Sequence, residues 1–212
     1  MSESMTLNVR FVKSALKRQS AWDLGNQTLY DLCRKHPDHR SVDVIVAKMW
    51  LIGRSYASSI ERRRDSRSTK GDDFYLDTVG PTMKRAGVDK WFDAIRELRR
   101  PNLSVVVPVH KRLTDVFRDI SGLEMRSLAS KYLHFHFPKA VYIYDERAGR
   151  AIRLIKPGLR LRAPAYDRYD KTYARFVQGC APFHDELEQL LGRALTPREV
   201  DKVLLAVADR TI

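Results

Sequence analysis

Residues 128–155 read LASKYLHFHFPKAVYIYDERAGRAIRLI, and the hydrophobic rhythm of this stretch decides the fold. Leu128, Tyr132 and Phe135 step by three or four, the period of an α-helix, and Pro138 ends the run. Val141-Tyr142-Ile143-Tyr144 is β-branched and aromatic but short, a strand or equally an extended link. Asp145 then precedes a second helical period at Ala148, Ile152 and Ile155, which makes it a natural N-cap.

The same period continues outward in both directions. Val42, Ile45, Met49, Ile52, Tyr56 and Ile60 form one apolar stripe, and Val109, Leu113, Val116 and Ile120 form another before Gly122. Tyr169, Tyr173, Phe176 and Cys180 lead on to Leu187, Leu190 and Leu191. Thr196-Pro197-Arg198-Glu199 combines a Thr cap, Pro at the first helical position and Glu at the third, ahead of Val200, Val203, Leu204 and Val207. Val105-Val106-Val107 is β-branched and stops at Pro108, which leaves a strand or an extended link. Arg62 to Asp73 is polar throughout and loop-like, and 157–164 is a second break. The expectation is an all-α fold: a compact multi-helix single domain over residues 1–212, of eight or nine helices. Sub-lobes at 1–100 and 101–212 are the division it would allow.

Composition narrows the partners. Of 212 residues 43% are hydrophobic, enough to bury a core. Thirty-nine Lys and Arg against 26 Asp and Glu give a net charge of +13, which attracts polyanions, DNA first among them. A solvated basic surface without a dedicated ligand is the plain alternative. Two cysteines cannot supply a disulfide framework or a four-cysteine metal site. Residues 1–19 hold no apolar run of signal-peptide length, and no stretch approaches the ~20 apolar residues of a membrane span. A cytoplasmic, soluble protein, monomeric and without membrane contact, is expected.

Two residues in 128–155 suggest chemistry. Lys131 sits at the edge of the Leu128–Phe135 stripe, where partial desolvation would lower its pKa and free its lone pair. Glu124, Ser127, Lys131 and His134 share one polar strip by spacing. A capping Asp145 stays ionised and fixed in direction, suited to stabilising a cationic sugar or orienting a water. Equally, an Asp ahead of a helix can be a cap alone, and Lys131 a surface lysine.

Residues 128–155 resemble the catalytic segment of the helix-hairpin-helix DNA glycosylase superfamily, particularly its 8-oxoguanine glycosylase-like bacterial members. There a helix bearing a catalytic lysine leads through an extended link to an aspartate capping the next helix; Lys131 and Asp145 match these. Arg147 and Arg150 fall where the family often carries basic residues near the aspartate. The block from Ala47 to Tyr56 (AKMWLIGRSY) and Thr196-Pro197-Arg198 also resemble blocks of relatives in this group. Two features depart from the pattern. Ser121 to Met125 has one glycine and an acid where the family's hairpin has Gly-x-Gly, and Lys131 and Asp145 stand closer in sequence than is usual.

The resemblance implies a DNA glycosylase, or glycosylase/lyase, that excises a damaged or modified base, in repair or in defence against phage with modified DNA. Lys131 and Asp145 would be catalytic. Trp50, Arg54, Tyr56, Tyr132 and His134 are candidates for the base pocket, with Trp22 a further stacking aromatic; aromatics at helical spacing can equally be core. Arg62, Arg63, Arg64, Arg147 and Arg150 are candidates for DNA contact, and Arg96, Arg99 and Arg100 form another basic cluster at a helix end. No cofactor and no metal is expected, since His134 and His136 point to different helix faces and His36-Pro37-Asp38-His39 lacks a third ligand. A non-catalytic helical nucleic-acid-binding protein and a nucleoside or nucleotide glycosidase are the competing readings.

Overall fold

In the computed structural model, the described residues are 7–17, 22–63, 72–159 and 169–210. All their regular structure is helical, as the periodicity predicts, and it forms a compact single all-α domain. In chain order the helices are α1 (Val9–Lys17), α2 (Trp22–Lys35), α3 (Val42–Ser55), α4 (Asp72–Phe74), α5 (Gly80–Ala86) and α6 (Asp89–Arg96). They continue with α7 (Leu103–Ser121), α8 (Arg126–His136), α9 (Glu146–Ile155), α10 (Lys171–Leu191) and α11 (Pro197–Arg210). A π turn, Tyr75–Val79, joins α4 to α5 without a break, so the described residues hold ten helical rods where eight or nine were expected. The helices without a stripe in the sequence reading are α1, α2, α4, α5 and α6; all but α2 span nine residues or fewer and carry too few apolar repeats to stand out.

Local chemistry sets the helix ends. Thr196 and Glu199 exchange two backbone bonds, Thr196 N–H to Glu199 Oε2 (2.8 Å) and Glu199 N–H to Thr196 Oγ1 (3.2 Å), a reciprocal cap at the start of α11. Gly122 closes α7 in the left-handed conformation (φ 75°), where a side chain would be strained. Val105–Val107 is neither strand nor link: it lies in the first turns of α7. Asn102 Oδ1 accepts from Ser104 N–H at 3.1 Å and starts that helix, and burial of Val106 and Val107 outweighs the extended preference of a residue before proline.

Packing groups the helices in a way that residue 100 does not divide. α8 packs on α2, α3 and α7, while α1 crosses to join α10 and α11, and α9 lies against the same pair. The 137–145 connection between α8 and α9 runs through the core, with Ala140 to Tyr144 buried. A groove opens where the two groups of helices meet. None of the described helices is long and apolar enough to cross a membrane.

Candidate functional site

A buried extended link must find partners for its backbone polar groups. Three side chains supply them. Ser130 Oγ accepts from Tyr144 N–H (2.9 Å) and shares its one proton between Ser127 O (2.9 Å) and Tyr144 O (3.2 Å). His134 Nδ1 donates to Val141 O (2.7 Å), and Tyr173 Oη donates to Tyr142 O (3.3 Å). Ser130 therefore ties the residue before Lys131 to the residue before Asp145, and so sets these two functional groups relative to each other.

Lys131 is 3% exposed, and its Nζ donates to Ser127 Oγ at 2.9 Å, within the polar strip expected from spacing. The ammonium lies 5.2 Å from the centre of the Tyr56 ring. Burial pushes its pKa below the usual lysine value, while the carboxylates of Asp145 and Asp201 pull it back up. Asp145 caps α9, with Oδ1 accepting from Ala148 N–H at 2.9 Å.

Lys131 and Asp145 line the same part of the groove, about 410 Å³, together with Ser127, Tyr144 and Tyr56. A second part, about 610 Å³, lies on the other side of Asp145 and is walled by Trp22, Asn26, Arg198 and Asp201. Tyr56, Asp145 and Arg147 line both parts and form the waist between them. The larger part falls within the roughly 300–1,000 Å³ of small-molecule sites.

Asp201 and Asn26 are the residues that sequence reasoning missed. Asp201, on α11, is 3% exposed; Oδ2 accepts from Arg198 Nη1 at 2.6 Å, while Oδ1 has no hydrogen-bond partner. Burial raises its carboxyl to about 6, with Arg198 opposing and Asp145 adding to the rise. Asn26, on α2, is buried; its Oδ1 accepts from Tyr56 Oη at 2.6 Å, and its Nδ2 has no partner. The sequence carries a signal for Asp201: an Arg-x-x-Asp pair sits within the apolar face of α11, with Val200 and Leu204 beside the acid.

The other base-pocket candidates are distributed differently. Tyr56 lines the groove. Tyr132 and His134 do not. Tyr132 follows Lys131 by one position, about 100° around the helix, so it points into the core, where its hydroxyl bonds His39 Nε2 (2.7 Å). His134 is covered by α2: with Nδ1 donating to Val141 O, its Nε2 accepts from Tyr30 Oη at 2.7 Å. Burial lowers its pKa to about 4 and keeps it neutral. Trp50, 40% exposed, carries the Arg54 guanidinium over its ring at 5.3 Å, and Arg54 pairs with Glu61 at 3.0 Å; neither lines the groove.

Of the DNA-contact candidates, Arg147 lines both parts of the groove and is ion-paired with Asp209. Arg150 sits on α9 with its Nε buried and without a hydrogen-bond partner. Arg62 and Arg63 end the 3₁₀ turn Ile60–Arg63, and Arg64 lies outside the described residues. Arg96, Arg99 and Arg100 pair with Asp93, Glu97 and Asp185 with Glu188 respectively. Among the described residues no three of His, Cys, Asp and Glu gather where they could hold a metal ion. Comparison with protein-family models, curated proteins and solved structures yields no match to this chain.

Proposed function

We propose that this chain is a DNA glycosylase, with or without a following lyase step, that removes a damaged or modified base. The observation that carries the reading is a desolvated amine and a fixed carboxylate, from two different elements, lining one groove. A base is reached at its glycosidic bond only after it leaves the stack, and the larger part of the groove has the volume to receive it. The bond electrons leave with the base as C1′ gains positive character, which the Asp145 carboxylate stabilises. Deprotonated Lys131 donates its lone pair to C1′. The C1′–O4′ bond then breaks, its electron pair and a proton from nitrogen passing to O4′, which leaves a protonated Schiff base. Loss of a C2′ proton to water expels the 3′ phosphate by β-elimination and cleaves the strand. With water attacking in its place, the product is an abasic site. The net charge of +13 supports DNA as the polyanion held, in repair or in defence against phage with modified bases.

The test is incubation with DNAs carrying different modified bases, with released base measured by mass spectrometry. Asp145→Asn keeps an equally good helix cap, so it should bind DNA, stay folded and lose base release. Borohydride should trap a covalent protein–DNA adduct in the lyase case, and Lys131→Gln should abolish it. If no base is released from any of the DNAs, and both variants bind DNA as the parent does, the chain is a non-catalytic nucleic-acid-binding protein.

A further inference from the structure

Asn26 and Asp201 come from α2 and α11, remote in sequence, and both line the larger part of the groove. Each is buried, and each keeps one polar atom without a hydrogen-bond partner: a donor, Asn26 Nδ2, and an acceptor, Asp201 Oδ1. An unpaired buried polar atom has given up its bonds to water without a replacement, so two in one cleft mark a place where a ligand supplies the missing bonds. Tyr56 Oη donates to the Asn26 carbonyl oxygen, which leaves the amide N–H₂ as the group without a partner, and Arg198 donates to the second oxygen of Asp201.

We infer that Asn26 and Asp201 together read the edge of a nucleobase presenting an N–H donor beside an acceptor, as the amide edge of a pyrimidine or the amino-bearing edge of adenine does. The inference rests on the glycosylase reading for the delivery of that base, and on the two unpartnered atoms for its recognition. Asp201 accepts from the base N–H, and Asn26 donates to the neighbouring ring nitrogen or carbonyl oxygen. A base whose N–H groups on that edge are all alkylated leaves the carboxylate oxygen unpaired. The site therefore discriminates against it, because a buried partner left without its bond loses the full desolvation energy of that group.

The probes are small bases with a methyl group in place of the sugar: 1-methyluracil against 1,3-dimethyluracil, and 9-methyladenine against N6,N6,9-trimethyladenine. Binding to the full chain is followed by saturation-transfer NMR. At least one donor-bearing base should bind, and its blocked partner should bind about tenfold more weakly or worse. Asp201→Asn exchanges the acceptor for a donor, and Asn26→Asp removes the donor while keeping the bond to Tyr56; each should weaken the donor-bearing base to a similar degree. Binding of neither parent base, equal binding of parent and blocked bases, or unchanged binding in both variants overturns the inference. The comparison of blocked and parent bases needs no variant, so it stands if Asp201→Asn fails to fold. Failure of the two readings is distinguishable. Probe binding that depends on Asp201 without base release from any DNA removes the glycosylase reading alone; base release that neither variant alters removes the inference alone.

Discussion

Ser130 carries no charge, yet it ties the helix that bears the groove's amine to the backbone just ahead of its carboxylate. Its hydroxyl gives Tyr144 N–H a partner inside the core. Ser130→Ala should cost on the order of 1–3 kcal/mol, the value of a buried donor left unpaired, read as a lowered urea midpoint. A change under a few tenths would mean that another group satisfies Tyr144. Asp145→Ala, unlike Asp145→Asn, should cost about 1 kcal/mol through loss of the cap on α9. At this scale Lys131 and Asp145 were legible because chemistry-bearing residues stood out against an apolar period. Ser130 was not, since a serine in a helix shows nothing of what lies across from it. His134 misled for the same reason. Its place on the Lys131 strip is correct, but the helix that covers the strip comes from a hundred residues earlier in the chain.

Helix contacts carry the next level of control. A Cβ on Gly179 of α10 would stand 2.8 Å from Ile152 Cγ1 of α9, so the two helices approach closely because this residue lacks a side chain. Gly179→Ala should destabilise by about 1–3 kcal/mol through overpacking, measured by chemical denaturation. Because Asp145 caps α9, the same variant should also slow any base release; a more stable Gly179→Ala protein would count against this close approach. The sequence pattern located α3, α7, α8, α9, α10 and α11, whose apolar stripes are long. It misjudged Val105–Val107, because proline and β-branching speak only of local backbone preference, whereas α7 is held by the burial of Val106, Val107, Val109 and Leu113. Pro108 sits in the second turn of that helix, and its missing N–H would otherwise have met Ser104 O.

Buried ionisable groups make the stability of the whole molecule depend on pH. Burial lowers His39 and His134 to about 4, and His110 and His136 also shift downward from 6.5. Between about 4 and 6.5 the unfolded chain binds protons at these positions that the folded chain does not, so stability rises with pH through this window. Each proton so taken up on unfolding contributes about 1.4 kcal/mol per pH unit. Asp201 works the other way: raised to about 6 by burial, it holds a proton in the folded chain after the unfolded one has released it, and so favours the folded state towards acid. One carboxyl opposes four histidines. The urea midpoint should therefore be lower at pH 5 than at pH 7, and Asp201→Asn should steepen the fall; a flat profile would show that these histidines are protonated in the fold. Net charge belongs to this scale too, and it was fully legible. The groove was not, because it is assembled from α1, α2, α3, α8, α9 and α11, which no local pattern brings together.

Helix α1 finds its partners, α10 and α11, at the opposite end of the chain. During synthesis it leaves the ribosome long before either exists. Its apolar face, Phe11, Val12 and Ala15, must therefore wait without its native cover until the last helix emerges. Such long-range closure makes folding slow and late to become cooperative. A nascent chain stalled ahead of α11 would be a target for chaperones and proteases, with the groove still missing one of its walls.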